Sequence, residues 1–192
     1  MKSLLGEVLE VVVLALGLYL IITIAVQTVH VIGLSMYPTL DNDDYLIATK
    51  LDYRFHPPQR GDIIIMRDPY DPSKDFIKRV VAVPGERLLI KDGRVYINGR
   101  LLTEPYVAQE AWTVNNNWPA SGDGEGNVVP ANEFFVMGDN RNHSSDSRTF
   151  GFVRRDQIEA RGLIRIWPLG QFGIYGPGSH LSSAGVPAAA AA

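Results

Sequence analysis

Residues 76–97, FIKRVVAVPGERLLIKDGRVYI, decide the fold. Three short runs rich in branched or apolar residues follow one another in this stretch, and turn-forming pairs separate them. The runs are Phe76–Val83, Leu88–Ile90 and Arg94–Ile97, and the turn pairs are Pro84-Gly85 and Asp92-Gly93. Asp-Gly between two such runs is typical of a tight hairpin. The stretch therefore predicts antiparallel strands joined by short turns.

The flanking sequence extends this pattern in both directions. Ile63–Met66 and Glu133–Met137 are further runs of strand-forming residues, and Asn98-Gly99 is another hairpin turn. The chain has 18 glycines and 12 prolines, too many for a helical bundle but common in turn-rich β proteins. Residues 112–130 are polar and glycine-rich, which indicates a loop. We therefore expect a mainly β domain of antiparallel strands, with a small β insertion at about residues 88–132.

The N-terminal region differs sharply from this body. No charged residue lies between Glu10 and Asp41, and residues 11–26 read VVVLALGLYLIITIAV. A transmembrane helix needs about 20 apolar residues. A cleaved export signal is the alternative, but its apolar region is usually only about 7–15 residues long and ends at a small-x-small site. We expect a retained anchor at residues 1–30, a soluble domain at 31–179 and a disordered low-complexity tail at 180–192.

Composition excludes several classes of protein and site. The 192 residues carry a formal net charge of −3, without the clustered basic excess typical of nucleic-acid binding. The absence of cysteine excludes disulfides, thiol catalysis and cysteine-ligated metal sites. The glycine-rich residues 122–126 lack the spacing of a calcium or nucleotide loop. We predict no cofactor and no metal.

Two reactive side chains lie in structured contexts. Ser35 is in GLSMYPTL, residues 33–40, where Gly33 permits a close or left-handed backbone and Pro38 stiffens the chain. Lys78 alternates with apolar neighbours, since in a strand it shares a face with Phe76, Val80 and Ala82. Burial there would lower the pKa of the lysine and favour a neutral base. Taken alone, Ser35 reads as a turn residue and Lys78 as a lysine that reaches water.

A third segment, residues 137–151, reads MGDNRNHSSDSRTFG. It is too polar to pack as core, and it needs internal hydrogen bonds if it is partly buried. An ion pair between Asp146 and Arg148 would fix the loop, and the Ser144 hydroxyl would orient a lysine amine. A solvated surface loop is the alternative.

Four segments in order, SMYPTL, RGDIIIM, FIKRVVAVPGE and MGDNRNHSSDSRTFG, resemble the motifs of bacterial type I signal peptidases. This resemblance implies a membrane-bound Ser/Lys serine endopeptidase that shares its fold with repressor peptidases. It implies that Ser35 is the nucleophile, Lys78 the general base and Ser144 the residue that positions the lysine, with Asp146 and Arg148 supporting the loop. The expected oxyanion backbone is Ser35 and Gly33. Some family members have a donating serine where this chain has Gly33, so a second donor must come from elsewhere.

The resemblance also implies partners and location. Substrates would be the signal peptides of exported preproteins, with small residues at the first and third positions before the cut. The enzyme would be a monomer, single-pass in the cell membrane, with its catalytic domain on the extracytoplasmic side. Trp167, Phe172 and Tyr175 would form either an apolar edge on lipid or part of the core. The rival interpretations are a self-cleaving repressor-type peptidase and an inactive, membrane-tethered peptide-binding domain.

Overall fold

A single long helix begins the chain. The computed structural model describes residues 4–107, 112, 117–119 and 125–176, and α1 spans Leu4–Ala25. Its large apolar side chains are exposed, as they would be against lipid rather than against a protein core. Over Gly6–Ala25 the helix is long and apolar enough to cross a membrane. The predicted tail at residues 180–192 lies outside the described residues.

The helix ends five residues before the expected boundary at residue 30. Val26–His30 forms strand β1, which pairs antiparallel with β2, Tyr45–Thr49. The Lys50 amide also donates to the Ala25 carbonyl at 2.9 Å. Strand pairing therefore takes over from the helix at residue 26, and α1 continues into the sheet without an intervening loop.

The main sheet holds most of the strands. Besides β1 and β2 they are β3 (Ile63–Arg67), β4 (Asp75–Ala82), β9 (Glu133–Met137), β10 (Val153–Arg154), β11 (Ile158–Trp167) and β12 (Gly173–Ile174). The strand order is β1-β2-β11-β3-β4-β9-β10, with β12 paired to β11, and all pairings are antiparallel. Short helices α2 (Asp52–Phe55) and α3 (Ser147–Phe150) and 3₁₀ turns at Arg155–Gln157 and Leu169–Gln171 connect the strands.

A second, smaller sheet follows the order β7-β6-β5-β8 and occupies the region of the expected insertion. Its strands are β5 (Arg87–Lys91), β6 (Arg94–Ile97), β7 (Arg100–Leu101) and β8 (Asn127–Val128). The hairpin predicted at Asp92-Gly93 joins β5 to β6, and both turn residues have positive φ. Much of the loop expected at residues 112–130 lies outside the described residues.

Three apolar clusters pack this architecture, and β4 contributes to all of them. Val80 packs with Phe134 and Ile158, whereas Ala82 packs with the small sheet. This differs from the uniform face expected for β4, because a register shift against β9 between Val80 and Ala82 interrupts the alternation. The prediction of a mainly antiparallel β fold behind one apolar N-terminal helix is confirmed.

Candidate active site

Ser35 lies in a tight turn directly after β1. Gly33 has a φ of +96°, a left-handed conformation that glycine adopts without strain. The side chains of Met36 and Leu40 are fully buried, and the Leu40 amide donates to the Met36 carbonyl at 2.9 Å. These two buried side chains anchor the turn in the core, while Ser35 remains partly exposed. The sequence thus places a hydroxyl on a rigid support.

Lys78 reaches this hydroxyl from the middle of β4. Its amine Nζ donates to Ser35 Oγ at 3.0 Å, although the two residues are 43 positions apart. Across the sheet Lys78 pairs with Ile64 of β3, whose residues Ile63–Met66 are fully buried. Only 3% of the lysine is exposed, and its amine lies 4.9 Å from the centre of the Phe76 ring. Strand pairing therefore brings the two predicted reactive side chains into contact.

This environment changes the acidity of the lysine. Burial lowers the pKa of Lys78 from its ordinary 10.5 to about 8. The carboxylates of Asp146 and Asp139 oppose this shift by favouring the ammonium, and the Arg148 guanidinium lowers the pKa further. Desolvation dominates because a buried ammonium loses its hydration. At pH 7 about a tenth of the molecules hold a neutral amine at this position.

The loop after β9 carries the remaining predicted residues. Asp146 is fully buried and forms the expected ion pair with Arg148, with Nη2 to Oδ2 at 2.8 Å and Nε to Oδ1 at 2.8 Å. Asp146 also caps the N-terminus of α3 and accepts a hydrogen bond from the Gly138 amide at 3.1 Å. The loop is therefore internally bonded and is not a solvated surface loop.

Ser144 lies beside the reactive pair, but it does not make the hydrogen bond expected from the sequence. Its Oγ is buried and has no hydrogen-bond partner among the described residues. The Lys78 amine donates to Ser35 instead. Gly138 separates Ser144 from the Ser35 turn, since a Cβ at position 138 would overlap both Ser144 Oγ and the Ser35 carbonyl oxygen. Ser144 is thus close to the Ser35 turn, with its hydroxyl unpaired.

In the expected oxyanion backbone, the Gly33 amide already has a partner within the protein. Its amide donates to the Asn42 side-chain oxygen at 2.8 Å, and this donor is therefore already engaged. The structure uses Gly33 for the backbone conformation of the turn. Of the two expected oxyanion positions, Ser35 is the one that remains a candidate.

A buried ion pair next to Lys78 was not predicted from the sequence. Arg79 forms a two-pronged contact with Asp139, with Nε to Oδ1 at 2.8 Å and Nη2 to Oδ2 at 2.6 Å. Arg79 also donates to the Gly61 carbonyl at 2.8 Å. Both members of the pair are buried, so the pairing ties the lysine strand to the loop after β9. The only sequence signal for this ion pair was that Arg79 follows Lys78 in a strand and therefore lies on the opposite face. That signal does not identify Asp139 as the partner.

A cleft of about 810 Å³ runs past Ser35 and Lys78. Residues 27–30 of β1 and residues 74–78 both line it. In the sheet order β1 is terminal, and β4 pairs with β9 only from Arg79 onward. Two strand segments with open edges therefore line the same cleft. Within the described ranges, no group of three or more acidic or histidine side chains is placed to bind a metal.

Comparison with known proteins matches the sequence of this chain to one family. Residues 5–167 match the family described as signal peptidase, peptidase S26. A signal peptidase I from Leptolyngbya laminosa is 40% identical over 173 residues, which cover 86% of this chain and 79% of that protein. A signal peptidase I from Bacillus caldolyticus is 38% identical and covers 73% and 79%. A signal peptidase I crystal structure from Enterococcus faecalis is 35% identical, with a TM-score of 0.46, and covers 55% of this chain and 97% of that one.

Proposed function

Because the chain belongs to the signal peptidase family, peptidase S26, we propose that it cleaves signal peptides from exported preproteins with Ser35 as nucleophile and Lys78 as general base. The observation that carries this proposal is the 3.0 Å hydrogen bond between the buried Lys78 amine and the Ser35 hydroxyl. A serine hydroxyl is a poor nucleophile until a base removes its proton. A desolvated lysine with a pKa of about 8 can be that base near neutral pH.

The first half-reaction forms an ester. Neutral Lys78 takes the proton of Ser35, whose Oγ attacks the scissile carbonyl carbon. The resulting ammonium then gives that proton to the leaving amine, and the mature protein departs. The Ser35 amide is the proposed donor to the tetrahedral oxyanion. The signal peptide remains bound to Ser35 as an acyl-enzyme.

The second half-reaction hydrolyses the ester. Lys78, neutral again, removes a proton from water, and the hydroxide attacks the acyl carbon. Ser35 no longer offers its hydroxyl to the lysine at this stage. The buried, unpaired Ser144 hydroxyl then holds the amine in place, and the Asp146–Arg148 pair keeps its loop ordered. As the intermediate collapses, the bond between the acyl carbon and Ser35 Oγ breaks and the Lys78 ammonium returns its proton to Oγ, which releases the signal peptide and regenerates Ser35 and neutral Lys78.

The open edges in the cleft support an extended mode of substrate binding. A peptide that lies between β1 and residues 74–78 would gain backbone hydrogen bonds from strand edges, a general mode of peptide recognition. The buried side chain of Met36 and that of Ile77 line the cleft next to Ser35. We propose that the substrate has small side chains at the first and third positions before the cut.

The N-terminal helix supports a location at the membrane. We place the protein as a single-pass monomer, with α1 in the bilayer and the β domain on the extracytoplasmic side. Trp167 and Phe172 are about half exposed and suit contact with lipid headgroups. Tyr175 has a core role instead, since it is buried and its hydroxyl donates to the Thr39 carbonyl at 3.3 Å.

A cleavage assay tests the proposal. Full-length protein in detergent micelles is incubated with a preprotein that has an Ala-x-Ala site, and release of the mature protein is measured. Ser35→Ala should abolish cleavage, whereas the control Ser73→Ala, at an exposed serine, should retain it. The wild-type rate should rise with pH through about 8 as Lys78 loses its proton. An intact preprotein with the wild type would favour the binding-only rival, and a flat pH profile would remove Lys78 as the base.

A further inference from the structure

A third buried ion pair joins the segment after the small sheet to the loop of the active site. Glu104 follows β7, and its Oε1 and Oε2 accept hydrogen bonds from Arg141 Nη2 at 2.5 Å and Nη1 at 3.1 Å. The side chains are 10% and 1% exposed. Glu104 does not line the cleft, so it is outside the proposed chemistry. Burying two charges costs desolvation free energy, so we expect this pair to do more than keep the surface soluble.

Arg141 also contacts Gly138 and thereby links Glu104 to that residue. Its Nε donates to the Gly138 carbonyl at 3.0 Å, while the Gly138 amide donates to Asp146 at 3.1 Å. Both backbone groups of one residue are thus held by buried charged side chains, whose hydrogen bonds are stronger than neutral ones. Gly138 is also the residue packed directly against the Ser35 carbonyl and Ser144. Its position therefore sets the spacing between the nucleophile turn and Ser144.

Glu104 also approaches the lysine strand by a second route. The Tyr106 hydroxyl donates to Glu104 Oε1 at 3.0 Å. The guanidinium of Arg79 lies 4.1 Å from the centre of the Tyr106 ring, and Arg79 is the neighbour of Lys78 in β4. Residues 104–106 of the insertion therefore contact two arginines, Arg141 in the loop after β9 and Arg79 in β4. These are the two chain regions that meet at the site.

We propose that Glu104 is a positioning residue of the peptidase: through Arg141 it fixes Gly138, and thereby the spacing of Ser35, Lys78 and Ser144. This role rests on the proposed function. The small sheet thus completes the active site without touching substrate. Loss of the Glu104 charge would leave buried Arg141 without its counter-ion and free to turn toward water. The Gly138 carbonyl would lose its donor, and catalytic spacing would relax.

The first test compares Glu104→Gln with wild type in the same preprotein cleavage assay, with kcat and KM measured separately. We expect kcat to fall about ten-fold or more, because small displacements of reacting groups cost that much. KM should stay unchanged, since Glu104 does not line the cleft. The matched control is Asp52→Asn, which removes a counter-ion from Arg161, its partner at 2.6 Å. This control should lower the melting temperature and leave kcat intact.

A double variant separates positioning from folding. Glu104→Leu combined with Arg141→Met replaces the pair by apolar side chains, which is often neutral or favourable for stability. Glu104→Gln should lower the melting temperature, because it leaves Arg141 without its counter-ion, and the double variant should recover it. The kcat of the double variant should stay low, because the donor to the Gly138 carbonyl is gone. Unchanged kcat in Glu104→Gln, or recovery of kcat together with the melting temperature, would overturn the role of Glu104. An inactive wild type would instead overturn the proposed function, and this role with it.

Discussion

Replacing Lys78 with methionine should abolish activity and at the same time make the protein more stable. Methionine fills a similar volume without a charge, and Lys78 is 3% exposed among apolar neighbours. The pKa of this lysine falls from 10.5 to about 8 on folding, so the folded state opposes the charge. That difference corresponds to about 3 kcal/mol at pH 7, where the lysine is protonated in both states. Lys78→Met should raise the free energy of unfolding by about this amount.

The sign of this effect predicts its pH dependence. Between pH 8 and 10.5 the unfolded chain holds the lysine proton and the folded chain does not. Wild-type stability therefore rises with pH across this window, whereas the Lys78→Met variant lacks this contribution. The advantage of the variant should shrink to about 1.4 kcal/mol at pH 9.5 and vanish above pH 10.5.

Urea unfolding in detergent micelles, followed by tryptophan fluorescence at pH 7 and pH 9.5, measures both effects. Lys91→Met is the matched control, because Lys91 is an exposed lysine at the end of β5. Its stability should change little, and its cleavage activity should persist. A Lys78→Met variant that is less stable than wild type at pH 7, or whose advantage is equal at both pH values, would refute the argument that burial depresses the pKa of Lys78.

Two further substitutions test the surroundings of the reactive pair. Ser144→Ala should lower kcat about ten-fold without abolishing cleavage, since it removes one positioning hydroxyl; an unchanged rate in the cleavage assay would exclude Ser144 from the mechanism. Gly138→Ala should abolish cleavage and lower the melting temperature, because its Cβ would overlap the Ser35 backbone as well as Ser144. Gly170→Ala, where the added Cβ meets nothing, is the control; full activity in Gly138→Ala would show that the spacing at this residue is unimportant.

The strands that carry turn signals were predictable from the sequence. β3, β4, β5, β6 and β9 all lie within a residue or two of the predicted runs, because dense apolar residues and glycine turns are local signals. The sequence did not reveal β1 or β11. β1 continues the apolar run of the helix, and only its pairing with β2 makes it a strand. β11 contains glycine and two arginines that side chains elsewhere in the chain neutralise.

The sequence motifs predicted which residues belong to the candidate site, but not all of their hydrogen bonds. Ser35 and Lys78 were identified, and the structure brings them to 3.0 Å. The expected Ser144 hydrogen bond was not found, because the local sequence does not determine which of several neighbours a polar group bonds. The second oxyanion donor was expected to lie elsewhere than Gly33, whose amide bonds Asn42. Glu104 gave no signal at all. Its role comes from a contact with Arg141 across 37 residues, and no pattern of spacing encodes such a contact.

With α1 in the bilayer as proposed, the direct join between α1 and β1 would fix the depth at which the enzyme acts. Five extended residues cover about 17 Å, and Ser35 follows after one short turn. Because no loop separates the proposed transmembrane helix from β1, the Ser35 hydroxyl would stay at a nearly constant distance from the lipid boundary. A peptide bond would therefore be cleaved only if the apolar segment of the signal peptide ends where it brings that bond level with Ser35. The junction would then select cleavage sites by their distance from the bilayer as well as by their side chains.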